Sequence, residues 1–210
     1  MGKVQEEYFG LARPFAIPIS RISSVLERHI STKYKSKKGA ARLPVLALYA
    51  VYQCLVQETK RFEGMRLAEI ESHTTSDRRS GRIGDIEVTG ANGQPFEAVE
   101  VKHGIALNVQ LVRDAFEKFS KTRANRYYLL STHESIAPAE KTKIDAEIER
   151  IKNSHGCQVI CNGLMRTLYY YLRLLTDPAK FIDGYVKLLE QDKSIKFEHK
   201  QRWNELNSGV

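Results

Sequence analysis

Cysteine is scarce in this chain: Cys54, Cys157 and Cys161 are the only three in 210 residues. An odd count rules out a disulfide framework as the main staple and suits a reducing compartment, so a cytoplasmic location is expected. No stretch approaches the roughly 20 apolar residues that cross a bilayer. The opening "MGKVQEEYFGLARPF" carries acids where a secretion signal needs an apolar run, so export and membrane insertion are not expected. Internal repeats, glycine or serine tracts and long blocks of one charge sign are missing too, which argues against solenoids, linkers and disordered tails. Neither a nucleophile elbow nor a glycine-rich phosphate loop is present, so acyl transfer and nucleotide hydrolysis have no support. "HGCQVIC" brings His155, Cys157 and Cys161 together, but C-x3-C lacks a second ligand pair and no zinc site is expected.

What the chain does have is positive charge. A formal net charge of +8 favours a polyanionic partner, because Lys and Arg gain by displacing counterions from phosphates. The basic residues fall into groups: Lys33, Lys35, Lys37, Lys38 and Arg42; then Arg78, Arg79 and Arg82; then Lys118, Lys121, Arg123 and Arg126. Each alone is compatible with an ordinary solvated face.

Hydrophobic spacing sets the expected order of elements. Ile19, Ile22, Val25, Leu26 and Ile30 recur at helical intervals, with Ser20 as candidate N-cap. The polar stretch from Ser31 to Arg42 reads as a loop, and Pro44 as a first-turn residue of an apolar helix that runs to a polar end carrying Glu58 and Glu63. "MRLAEIESHTT" reads weakly as a strand. "RIGDIEV" and "PFEAVEV" flank Asn92-Gly93, whose positive backbone dihedrals suit a tight hairpin turn. A helix with Val109, Val112, Ala115, Phe116 and Phe119 on one stripe follows, then the strand "RYYLLS". Next come a helix with Ile144, Ile148 and Ile151 inward, the strand "CQVIC", and helices from about 164 to 176 and 178 to 191. An antiparallel hairpin followed by strand–helix–strand crossovers predicts a mixed α/β (α+β) fold, with a central mixed sheet, helices on both faces and further C-terminal helices. The expected parts are an N-terminal helix and basic loop (1–42), a core (43–163) and a C-terminal helical extension (164–210) packed as one domain.

Side chains alternate along a strand, so burying Ile86, Val88, Val99 and Val101 turns Asp85, Glu100 and Lys102 to one side of the sheet. Two carboxylates in one small space repel and need a cation to stay ionised together. Magnesium suits them: it takes oxygen ligands, keeps waters and bridges to phosphate oxygens, so Asp85, Glu100 and the Val101 carbonyl are the candidate metal ligands. Lys102 is the candidate to orient or deprotonate an attacking water and to stabilise charge on phosphate. The bland alternative is a wet hairpin face with an exposed Glu100–Lys102 ion pair.

"GDIEV", with fourteen residues between Asp85 and Glu100, and then "EVK" resembles the signature of the PD-(D/E)XK nuclease superfamily, to which many type II restriction endonucleases belong. The resemblance implies a core of helix, three strands, helix and strand, matched here from about residue 44 to 131. It assigns Asp85 and Glu100 to the metal-binding acids and Lys102 to the catalytic lysine. It also implies a glutamate from the preceding helix, for which Glu63 is favoured, with Glu58, Glu69 and Glu71 left open. Gly84 stands where the motif's name has proline. Gln110 is similar to a glutamine of the RecB-like branch, though the tyrosine expected with it is not evident. The expected activity is magnesium-dependent hydrolysis of double-stranded DNA, as a site-specific restriction endonuclease, by a homodimer and with a methyltransferase partner in the same system. Arg78, Arg79 and Arg82, with Lys37 and Lys38, are the candidate DNA contacts. His103 faces away from Lys102 and is expected to be structural. A repair or junction-resolving nuclease and a non-catalytic DNA-binding module remain the alternatives.

Overall fold

The computed structural model describes residues 10–71 and 81–208. Helix α1 (Ile19–Ser31) buries Ile22, Val25, Leu26 and Ile30, the stripe that its spacing marks out. Its N-cap is Pro18 rather than Ser20. Helix α2 (Lys37–Glu58) starts earlier than its composition indicates: the Ser36 side chain accepts from the Gly39 N–H, so the basic run is the first turn and Pro44 lies inside the helix. At 22 residues, α2 also meets the length and apolarity of a membrane span, contrary to expectation. Some 83% of its most apolar 18-residue stretch is buried by the rest of the fold, which marks a core helix.

Five strands form one open sheet in the order β1 (Arg66–Leu67), β2 (Ile86–Thr89), β3 (Pro95–Lys102), β4 (Arg126–Ser131), β5 (Gln158–Gly163). β1, β2 and β3 pair antiparallel; β3, β4 and β5 pair parallel. The β2–β3 connection departs from a two-residue turn. Thr89 pairs with Pro95 after a register shift, Gly93 alone takes a positive φ (75°), and the Asn92 side chain instead accepts from the Gln94 N–H. That is the longer, glycine-bulged type of hairpin loop.

The parallel crossovers are α3 (Val109–Phe119), capped by the Asn108 side chain, and α4 (Pro138–His155). Both lie on one face of the sheet, where Val112, Ala115, Phe119, Ile144 and Ile151 pack on Ala98, Tyr127 and Leu129. The other face carries α1, α2, α5 (Leu164–Leu172), α6 (Pro178–Gln191) and α7 (Phe197–Asn207), packed over Ile86, Val88, Val99 and Leu130. Each large apolar side chain so buried contributes about 1.5–3 kcal/mol. The expected boundaries at 42 and 163 mark no break, since this second core runs continuously from Leu11 to Leu206.

Polar contacts close the helical face. His29 is fully buried, with Nδ1 3.0 Å from the Tyr185 hydroxyl of α6 and Nε2 2.9 Å from the His199 carbonyl of α7. Its burial holds the imidazole down, to about 4 from the usual 6.5. The Ala12 N–H donates to Asn204 Oδ1 at 2.7 Å and the Trp203 ring N–H donates to the Ala12 carbonyl at 2.9 Å, so α7 is tied to the segment ahead of α1.

Candidate functional site

Asp85 sits immediately before β2, whose first residue, Ile86, lies opposite Val99. The turn that delivers it is clamped from several sides. The Glu87 carboxylate accepts from the Ile83 and Gly84 N–H groups, and the Tyr127 hydroxyl donates to the Ile83 carbonyl at 2.8 Å. Gly84 passes so close to β3 that a Cβ there would lie 2.7 Å from the Val99 carbonyl oxygen. A proline ring would meet the same obstacle, which accounts for glycine at this position.

Asp85 Oδ2 accepts the Val101 N–H at 2.8 Å. The N–H and C=O of an extended residue share one strand edge, so the Val101 carbonyl lies on the edge that Asp85 caps. On the neighbouring position Glu100 is only 7% exposed. Its Oε1 is 2.7 Å from Lys102 Nζ, both its oxygens are 2.9 Å from Lys118 Nζ, and Oε2 is 3.3 Å from the Tyr127 hydroxyl. Strand parity therefore brings Asp85, Glu100 and Lys102 together, and α3 adds Lys118.

The two carboxylates are pushed apart in their titration. Burial and the neighbouring Glu100 charge raise Asp85 to about 6, against the opposing Val101 N–H and the two lysines. Burial would also raise Glu100, but the hydrogen bond from Lys102 and the charge of Lys118 outweigh it and leave Glu100 below its ordinary value. Tyr127 is held well above its ordinary value by burial beside these acids and stays a hydroxyl donor. Fold geometry thus confines an acid that resists ionisation beside one that is firmly ionised.

Lys118 has a signal in the chain: it follows Leu111 and Ala115 by seven and three residues, along the inward side of α3. A lysine on that stripe has to reach a buried acid or snorkel outward.

Other expected residues lie elsewhere. Glu63 is exposed and precedes β1, whose Arg66 pairs with Thr89; it therefore lies toward the hairpin-loop end of β2, away from Asp85. Glu58, at the end of α2, accepts from the Thr176 N–H at 2.8 Å and serves the α5–α6 connection. The antiparallel register instead runs Glu69 and Glu71 toward the Asp85 end, and Glu71 pairs with Arg82 at 3.2 Å. Arg78 and Arg79 fall outside the described residues. Lys37 and Lys38 are exposed in the first turn of α2. Lys37 lines a groove of about 790 Å³ shared with Lys33, Tyr34, His103 and Thr132, and Asp85, Glu100 and Lys102 do not line it. His103 packs its Nδ1 at 3.2 Å from the Thr132 hydroxyl. Gln110 donates to Asp114 on its own helix at 2.8 Å.

Among the described residues no group of three His, Cys, Asp or Glu side chains converges as a metal cage. Magnesium does not ask for one, since it is commonly held by one or two carboxylates with waters and substrate phosphate. The donor set of Asp85, Glu100 and the Val101 carbonyl fits that pattern, and the mutual repulsion of the two acids supplies a reason for a cation there. No protein-family model matches the chain, and no curated protein is significantly similar to it.

Proposed function

We propose that this chain is a magnesium-dependent endonuclease that hydrolyses phosphodiester bonds in double-stranded DNA. The observation that carries the reading is the convergence of Asp85, Glu100 and Lys102 from two strands on one partly buried spot. Asp85, whose ionised form the fold disfavours, costs stability at neutral pH, which points to a purpose outside folding. The sheet, antiparallel through its first three strands and parallel through the rest, agrees with the core that the "GDIEV…EVK" resemblance implies.

Asp85, Glu100 and the Val101 carbonyl would hold the magnesium ion, which supplies Lewis-acid stabilisation of the phosphate and a more acidic water. Lys102 orients the attacking water and donates to the charge that gathers on the phosphate. Tyr127, Glu87 and Gly84 keep the Asp85 turn in place. Lys37 and Lys33, along the groove that His103 and Thr132 also line, are the candidate contacts to the DNA backbone in this reading. Site-specific cutting as a restriction endonuclease, by a homodimer, is the finer form of this reading.

The test is cleavage of a mixed set of duplex DNAs by wild type and Asp85→Ala, with magnesium and with EDTA. Discrete fragments that require both magnesium and Asp85 are the expected result. Salt-sensitive binding without cutting, unchanged in Asp85→Ala, would show a DNA-binding module instead.

A further inference from the structure

We propose that Lys118 is a resident counter-ion on Glu100 which has to withdraw before a divalent cation can use that carboxylate, so that this lysine sets the metal affinity of the site. The inference rests on the nuclease reading above and adds a control to it.

A carboxylate offers about four lone-pair positions. On Glu100, Lys118 takes one on each oxygen, both at 2.9 Å; Lys102 takes another on Oε1 at 2.7 Å, and the Tyr127 hydroxyl takes one on Oε2 at 3.3 Å. The single Tyr127 proton is shared with the nearer Ile83 carbonyl at 2.8 Å, so the ammonium groups are the firm occupants, and a cation that bridges both Glu100 oxygens has to displace one of them.

Lys118 is the donor that has to go. It straddles both oxygens, which is where a chelated cation would sit, whereas Lys102 and Tyr127 hold one oxygen each. Tyr127 is also bound to the Ile83 carbonyl. Lys102 projects from β3, where its backbone is paired with Ser131 of β4. Lys118 belongs to the last turn of α3, its side chain is about a third exposed, and its four-carbon stem lets the ammonium swing into solvent. The charges point the same way. Two ammonium groups already balance two acids, so a divalent cation added without loss of a lysine leaves an uncompensated excess in a half-buried space.

Binding of Mn2+ without DNA, followed by calorimetry and by electron paramagnetic resonance of the free ion, tests this on the full chain. Lys118→Met should bind Mn2+ about tenfold more tightly than wild type, because a competing cation has gone. Lys118→Arg should stay near wild type. Lys121→Met, which removes the same charge just beyond the helix, should change affinity less than about twofold, since solvent and salt screen an exposed lysine. Asp85→Asn should lose binding.

Unchanged or weaker binding in Lys118→Met overturns the inference, as does an equal gain in Lys121→Met, which would reduce the effect to net charge. If wild type binds Mn2+ in an Asp85-dependent manner and Lys118→Met matches it, the nuclease reading stands and this inference alone falls. If neither wild type nor Lys118→Met binds Mn2+, this inference falls, and the cleavage test with magnesium and EDTA decides the nuclease reading separately.

Discussion

Consider Asp85→Asn, which keeps the shape of the side chain and an oxygen for the Val101 N–H but removes the charge. Asp85 titrates near 6 in the fold against an ordinary 3.8, so folding disfavours its ionised form. The sign follows from linkage: the carboxyl costs nothing below its unfolded value, and stability is lost as pH rises through the folded one. At 1.36 kcal/mol for each tenfold change, the full cost above pH 7 is about 3 kcal/mol. Partial exposure of the residue lowers this to about 2 kcal/mol. Asp85→Asn should therefore unfold at higher urea than wild type at pH 7.5 in EDTA and melt about 4–8 °C later, while its DNA cleavage is abolished. The stability difference should shrink steadily when the same pair is compared at pH 5. A variant less stable than wild type at pH 7.5 would refute the reasoning, because Asp85 would then be an anchor for Val101 rather than a strained acid kept for binding.

His29 should give the opposite pH trend: its value is depressed from 6.5 to about 4, so its neutral form supports the fold above 6.5 and that support is lost as pH falls toward 4. The loss amounts to about 3 kcal/mol, seen as a falling urea midpoint between pH 7 and 4 that flattens in His29→Gln. Glu100→Gln leaves Lys102 and Lys118 beside each other without their acid, and it should destabilise by about 1–3 kcal/mol in urea titrations and abolish cleavage; an unchanged midpoint would count against the four-contact arrangement. Lys102→Ala should cut the single-turnover rate at least about a hundredfold with DNA binding retained, and a rate within a few-fold of wild type would remove it from the chemistry. Gly84→Ala puts a Cβ 2.7 Å from the Val99 carbonyl; it should lower both cleavage and melting temperature, whereas an unaffected variant would mean the turn has room to spare.

Strand parity made the centre of the site legible. Once Ile86, Val88 and Val99 are taken as core, Asp85, Glu100 and Lys102 have no other side to face, and the hairpin that joins them is local enough to read by eye. Lys118 demanded more, since its role depends on how α3 docks across the sheet, a relation between segments that a helical stripe only hints at. Glu63 shows the reverse failure: a glutamate in the right neighbourhood of the chain is carried to the wrong end of β2 by the pairing of Arg66 with Thr89. The start of α2 was hidden by a basic run that looked like a loop, although Ser36 stood at the cap. Helix α7 was obscured because its inward side is built from Trp203, Leu206 and the polar His199 rather than a continuous apolar stripe.

The stitching of α7 to the segment around Ala12 bears on the order in which the chain can fold. Those partners are 192 and 191 residues apart, and contacts of such separation form late because so much loop has to be closed first. The carboxylates, lysines and tyrosine of the candidate site all fall between Asp85 and Tyr127. Yet Ile86, Val88 and Val99 share a core with α6 and α7, so the strands that carry the candidate site gain their backing only when those helices dock, and His29, which waits for the same two helices, marks that step.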